Sequence, residues 1–358
     1  MSKNKKTTNL KKNSIIVLII ASISFLSLFL QQEPEGNKNK ECELDNKCEL
    51  SLCDCECYLS GQTPEVLENK VCGINCQETQ EVFGCECKNN KCSEVKPIKI
   101  AAFNVQIFGK TKKGKNDVMD VLKRIAQEFD IMFVQEFRDA KEKTASYYLQ
   151  KINEAAGYQK YAFKRSERLG RGSSKEAYAY FYNTDKIEFI EGSAYIYNDT
   201  NDIFQREPYI ASFRKGNFDF TLVGIHVKPD DADSEIGHLA DVVDSISTKN
   251  PNEKDIIVMG DFNADGSYFD ENNNTNPFKS TKHHWVIIND MDTMTKTDWT
   301  YDRMIMMDAT LHHEYISNSA AVFYFDKEYT LNDKKLVWNV SDHYPIYAKF
   351  RTDLKDDD

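Results

Sequence analysis

Apolar residues in this chain come in short runs that stop at a polar residue, and the pattern recurs from residue 98 to residue 350. Residues 98–103 form one such run and end at Asn104. Val118, Leu122, Ile125 and Phe129 then recur at helical spacing, which predicts the buried face of a helix. Residues 131–134 predict a compact buried strand running into Gln135 and Glu136. Further strands are expected at 177–182, 218–225 and 256–259, a helix at 236–246, and late strands at 304–307 and 346–350. Strands and helices in alternation predict a layered α/β (α+β) sandwich, and the polar residues at strand ends place its site along one sheet edge.

The first 97 residues follow a different pattern. Lys3, Lys5, Lys6, Lys11 and Lys12 precede an uncharged run over 14–30, the layout of an export signal, so residues 1–30 read as a signal peptide or signal anchor. The run would reach about 25 Å as a helix, near the lower limit for crossing a bilayer. No small-x-small cleavage site closes it, which favours an anchor that leaves the lysines inside and the rest of the chain outside. Residues 31–41 are polar and linker-like, and 42–95 hold all ten cysteines. That segment has no histidine and no C-x-x-C, so it reads as a disulfide-bonded module rather than a zinc site.

Composition narrows the field only slightly. A hydrophobic content of 41% with 29% charged residues is that of a globular protein. The net charge of −11 argues against bulk electrostatic attraction to a polyanion. A phosphate-cleaving site would therefore need local cations or arginines.

The chemistry lies in residues 98–351, ahead of an acidic tail at 352–358. Asn104, Glu136, His226, Asp261, Asn263, Asp302, Asp342 and His343 each end an apolar segment or stand beside one. Oxygen donors such as Asn104, Glu136, Asp261 and Asp342 suit Mg²⁺ or Mn²⁺. Two histidines with nearby carboxylates suit acid–base work near neutral pH. The stretches KIAAFNVQIFGKTK, FVQEFRDA, RLGRGSSKEAYAYFY, IFQREP, GIHVKPDDADSEI, VMGDFNADGSY, YDR and SDHYPI occur in that order. Together they resemble the deoxyribonuclease I branch of the endonuclease/exonuclease/phosphatase superfamily.

That resemblance implies a four-layered α/β sandwich of two packed sheets flanked by helices, which hydrolyses phosphodiesters with an activated water. It implies His226 and His343 as the catalytic histidines, with Glu176 and Asp302 as their carboxylate partners. Asn104 and Glu136 would hold the metal, and Asp261, Asn263 and Asp342 would bind a second ion or grip the phosphate. Arg138 and Arg171 stand where family members contact DNA in the minor groove. One departure concerns the substrate: Ser174 replaces a tyrosine that packs against the sugar in well-known members.

Two oxygen-rich loops are candidate structural calcium sites. One offers Asp199, Asp202, Glu207 and the Phe204 carbonyl; the other offers Thr293, Thr295 and Thr297 beside Asp290 or Asp292. A plain polar turn is the alternative for the threonine loop. His283, His284, His312 and His313 match no motif and read as surface residues.

The expected activity is a secreted or surface-tethered, metal-dependent endonuclease acting on DNA. The rivals are a relative acting on RNA, an abasic site, an inositol phosphate or sphingomyelin, and a non-catalytic surface-binding protein. A lipid-directed enzyme would show an exposed aromatic hairpin, for which Phe323, Tyr324 and Phe325 are the one weak candidate.

Overall fold

The structure, a computed structural model, describes residues 48–50, 57–59, 84–88 and 91–356. The chain divides into two compact units. In the N-terminal unit Cys48–Leu50 pairs antiparallel with Cys57–Leu59, and Gly84–Lys88 and Lys91–Val95 form a second two-stranded sheet. The expected export segment, the linker and the cysteine pairing lie outside the described residues. Among the described residues no helix is long and apolar enough to cross a membrane.

The larger unit contains two mixed sheets. Its strands are β1 (Ile98–Phe108), β2 (Ile131–Phe137), β3 (Tyr161–Arg165), β4 (Ala177–Asn183), β5 (Glu188–Phe189), β6 (Tyr195–Ile196), β7 (Tyr209–Lys215), β8 (Phe218–His226), β9 (Ile256–Asp261), β10 (His283–Trp285), β11 (Asp302–Met307), β12 (Ala321–Val322) and β13 (Ile346–Phe350). Sheet one runs β12-β13-β1-β2-β4-β3; sheet two runs β6-β7-β8-β9-β11-β10, with β5 on β7. The helices used below are α1 (Asn116–Gln127), α2 (Thr144–Ala156), α3 (Ala232–Lys249), α4 (Asp308–His312) and α5 (Lys334–Val340).

The near-continuous apolar runs have a direct physical reason. Central strands are buried on both faces, so both sets of alternating side chains must be apolar. In β1, Ile98, Ile100 and Ala102 join the core between the sheets, while Ala101, Phe103 and Val105 pack outward against α1, α2 and α5. In β8, Leu222 faces the inter-sheet core, whereas Val223 and Ile225 pack on Ile236, Leu239 and Val243 of α3. The order helix, sheet, sheet, helix is the four-layered sandwich expected. Phe323 and Tyr324 pack into the core on sheet one and Phe325 is fully buried, so this segment is no exposed hairpin.

The sheets meet closely at one point. Phe133 of β2 is fully buried, with its ring 5.0 Å from that of Tyr180 and 5.3 Å from that of Tyr178. Opposite it lies Gly224 of β8, where an added Cβ would stand 2.1 Å from the Phe133 ring. Gly224→Ala should therefore destabilise the fold by about 3 kcal/mol through overpacking. Urea unfolding should show a lower midpoint at unchanged slope. Trimming the ring in Phe133→Leu/Gly224→Ala should return part of the loss.

Topology decides where the strand-end residues gather. Each sheet has one parallel pair among its central strands, β1 with β2 and β8 with β9. Ligands of α/β sheets bind beyond the carboxyl ends of such strands. Glu136, His226 and Asp261 lie at those ends. His226 pairs with Asp261, and Asp261 pairs with Asp302, which begins the antiparallel β11. Glu176 precedes β4 and His343 precedes β13, both antiparallel to the strands that end there. One rim collects all of them.

Candidate active site

Two imidazoles face one carboxylate across this rim. His226 Nδ1 lies 2.7 Å from Glu176 Oε1, and His343 Nδ1 lies 2.8 Å from Asp302 Oδ2. The opposite nitrogens converge: His226 Nε2 is 3.3 Å and His343 Nε2 is 3.5 Å from the same Asp261 Oδ2. All five residues are buried. A carboxylate on Nδ1 sets the ring orientation and leaves Nε2 for proton transfer.

Their electrostatics follow from burial set against charge. Burial pulls the His343 imidazolium down, but Asp302 and Asp261 outweigh it and raise the pKa to about 10. Burial likewise opposes the charged form of His226, yet Glu176 and Asp261 carry its pKa above the usual value despite Arg206. Glu176 is pushed up by burial and pulled down harder by His226, Arg206 and Arg138, which hold it at about 2. Asp261 is also kept ionised against burial by His343, His226 and the Asn104 hydrogen bond.

The expected metal ligands stand beside the imidazoles. Asn104 Nδ2 donates to Asp261 Oδ2 at 2.9 Å and to Glu136 Oε1 at 3.2 Å. Asp342 is held by Gln106, whose Nε2 donates to its Oδ2 at 2.7 Å. The three carboxylates form a hard, oxygen-rich donor set that fits Mg²⁺ or Mn²⁺, and the Asn104 amide, whose Oδ1 accepts from the Gln106 N–H, would join it by turning its oxygen toward them. Asn263 lies under this group, with its Nδ2 donating to the Val227 carbonyl and its N–H to Asp261 Oδ1.

Backbone strain concentrates here. Gln106 (φ 44°), Ile107 (φ 48°), Glu136 (φ 67°) and Asn263 (φ 48°) are non-glycine residues in the left-handed region. Each costs about 1–3 kcal/mol and persists only where the surroundings enforce it. The first three belong to an irregularity where the β1–β2 pairing shifts register after Asn104. It turns the Ile107 N–H onto Glu136 Oε2 at 2.7 Å.

The arginines take up specific positions. Arg138 spans Glu136 at 3.1 Å and Glu176 at 3.3 Å, linking a metal-type ligand to the partner of His226. Arg171 binds the first candidate calcium loop, donating to Asp202 Oδ1 at 3.0 Å, to the Asp202 carbonyl and to the Phe204 carbonyl at 3.0 Å. Asp199 caps the same loop by accepting from the Phe204 N–H, while Glu207 is partly exposed beside it. In the second loop, Thr293 and Thr295 hydrogen-bond to the carbonyls of Trp299 and Ser341, and Thr297 is exposed. Ser174 is exposed on the segment before Glu176.

Four positions at the rim carried no role in the sequence reading. Gln106 orients Asp342. Lys112 is buried and donates to the carbonyls of Val105 and Val340; burial lowers its pKa to about 8 although Asp342 and Glu136 oppose the shift. Arg206 donates to the His226 carbonyl at 3.0 Å and lies 3.6 Å from Glu176; its only signal was its place in IFQREP. Trp299 is exposed and packs on Tyr301, whose ring is 6.5 Å from that of His343.

A sandwich with two carboxylate-backed histidines and an acidic metal-type pocket at one rim defines a class of phosphoester hydrolases. The chain belongs to the Endonuclease/Exonuclease/phosphatase family, whose model matches residues 101–343, and within it to the deoxyribonuclease I-like branch. It is 36% identical over 256 residues to Deoxyribonuclease-1-like 1 of Cricetulus griseus, covering 70% of this chain and 82% of that protein. It is 36% identical over 265 residues to Deoxyribonuclease-1 of Oryctolagus cuniculus, covering 70% and 91%. Human Deoxyribonuclease-1 is 35% identical over 260 residues, covering 70% and 90%.

Proposed function

We propose that this protein is an exported, divalent-metal-dependent endonuclease that hydrolyses DNA. The observation that carries the reading is the convergence of two Nε2 atoms on Asp261, each imidazole backed by its own buried carboxylate. Such a pair can serve both ends of a phosphodiester displacement. One imidazole takes the proton of the attacking water as the new P–O bond forms. The other returns a proton to the 3′ oxygen as its bond to phosphorus breaks. Glu176 and Asp302 keep the two rings in register, and Asp261 and Asn263 face the phosphate. Asn104, Glu136, Asp261 and Asp342 would hold Mg²⁺ or Mn²⁺, which would neutralise charge on the phosphoryl oxygens.

DNA is favoured as substrate by the deoxyribonuclease relatives. Arg138, half-buried between Glu136 and Glu176, is the candidate phosphate contact, and Arg171 stays the candidate groove contact. Calcium at the 199–207 loop would compete with Arg171 for Asp202 and the Phe204 carbonyl, and Thr293 and Thr295 would offer oxygens to a second ion. Export follows from the lysine-led apolar run at the N-terminus, and degradation of extracellular DNA is the role that fits it.

The test incubates the purified protein with plasmid, RNA, sphingomyelin and an inositol phosphate in Mg²⁺. Plasmid nicking, lost in His226→Ala, is the expected result. Cleavage of the lipid or inositol substrate alone would replace the reading.

A further inference from the structure

The fold separates the histidine pairs that lie outside the active site. His283 of β10 is buried against Phe278, ring centroids 4.5 Å apart. His284, the next residue, is turned the other way and places Nε2 2.5 Å from Asp308 Oδ1. Asp308 opens α4, and His312 follows one turn later on the same helical face. The His312 ring stands 5.8 Å from that of His284. One ligand atom from each of the three residues lies within 4.8 Å of the others.

We propose that His284, Asp308 and His312 form a second metal site, selective for a borderline divalent cation such as Zn²⁺. Two imidazoles and one carboxylate are the donors that Zn²⁺ takes in three-ligand sites, with water completing the shell. Tetrahedral bonds of about 2.0–2.1 Å place ligands roughly 3.3 Å apart, so binding would open the 2.5 Å His284–Asp308 contact and turn the exposed His312 ring inward. The hard oxygen donors at the rim select differently, so the two sites discriminate by chemistry. They also lie apart. Asp302 and Met307 bound β11, so the active-site carboxylate and this cluster are separated by about 17–20 Å of extended strand.

The site adds a side-chain link between two short elements already joined through β11. Strand β10 has three residues at the edge of sheet two, and α4 has five. A bound cation would clamp one to the other. It would thereby anchor one end of the 286–301 segment, which carries Thr293 and Trp299 to the active-site rim.

The test titrates the full-length protein, in excess Mg²⁺ to fill the oxygen-rich site, with Zn²⁺ by calorimetry. Wild type should bind one more equivalent of Zn²⁺ than His284→Ala/His312→Ala, and its Tm should rise by about 5 °C at saturation, a gain absent in the variant. Nuclease activity in Mg²⁺ alone should match in both proteins, which keeps failure of this site distinct from failure of the nuclease reading. In wild type, the ring resonances of His284 and His312 should shift together on adding Zn²⁺. Equal Zn²⁺ stoichiometry in the two proteins, or ring signals unmoved at saturation, would overturn the proposal.

Discussion

His226→Ala and His343→Ala should each lower kcat for plasmid cleavage by on the order of 10³-fold, the scale of a lost general acid or base. Combining them should cost little more than either alone, because groups that act in one proton-transfer sequence are not additive. Single-turnover nicking rates for the two single variants and the double variant give the comparison. A double variant slower than either single by the full product would mean that the imidazoles work independently.

The two variants should differ in stability. In His226→Ala the Glu176 carboxylate keeps Arg138 at 3.3 Å and Arg206 at 3.6 Å. Asp302 is fully buried and pairs with His343 at 2.8 Å. His343→Ala leaves this carboxyl, which burial already pushes above its usual pKa, without its imidazole partner and should lose about 3 kcal/mol more than His226→Ala on urea unfolding. Equal losses would show that the two pairs are equally supported.

Removing divalent cations with EDTA should abolish nicking, by more than about 10³-fold, while circular dichroism stays unchanged. Glu136, Asp261 and Asp342 gather at one rim through Asn104 and Gln106, and the chain carries a net charge of −11. A bound divalent cation would offset these carboxylates and take up charge on the phosphoryl oxygens. Mg²⁺ should restore activity and raise Tm in wild type. Glu136→Gln should need far more Mg²⁺ for half-maximal rate, since it removes one carboxylate and disturbs the contacts with Asn104, Ile107 and Arg138. Full activity in EDTA after exhaustive dialysis would rule out the metal-assisted reading.

Much of the scaffold was legible because burial on both strand faces writes itself as apolar runs. The runs at 98–103, 131–134, 177–182, 218–225 and 256–259 all became strands, and 236–246 lies within α3. Short edge strands and turns were not legible. Strand β3 carries Lys164 and Arg165, and β10 reads His-His-Trp, so neither has the composition of a buried strand. Phe129 follows the helical period of α1 but falls just after the helix, where it packs on Phe323 and Tyr347.

At the rim, the polar residues that close apolar runs were found, whereas Gln106, Lys112 and Arg206, although inside the motif stretches, were not. Gln106 reaches Asp342 across 236 positions of sequence only because the strand bends at Gln106 and Ile107. The surface reading holds for His312 and the half-buried His284 but not for His283, which is buried against Phe278 because alternate residues of β10 face opposite ways.

The order of residues determined the strands, the helices and the polar side chain that closes each apolar run, since those depend on period and burial. Which of these side chains touch was decided by chain crossings: two parallel pairs and their antiparallel neighbours bring distant strand ends to one rim. Local pattern records how a segment buries itself. Only closure of the sheets sets the distances, and those distances turn eight separate polar residues into one site.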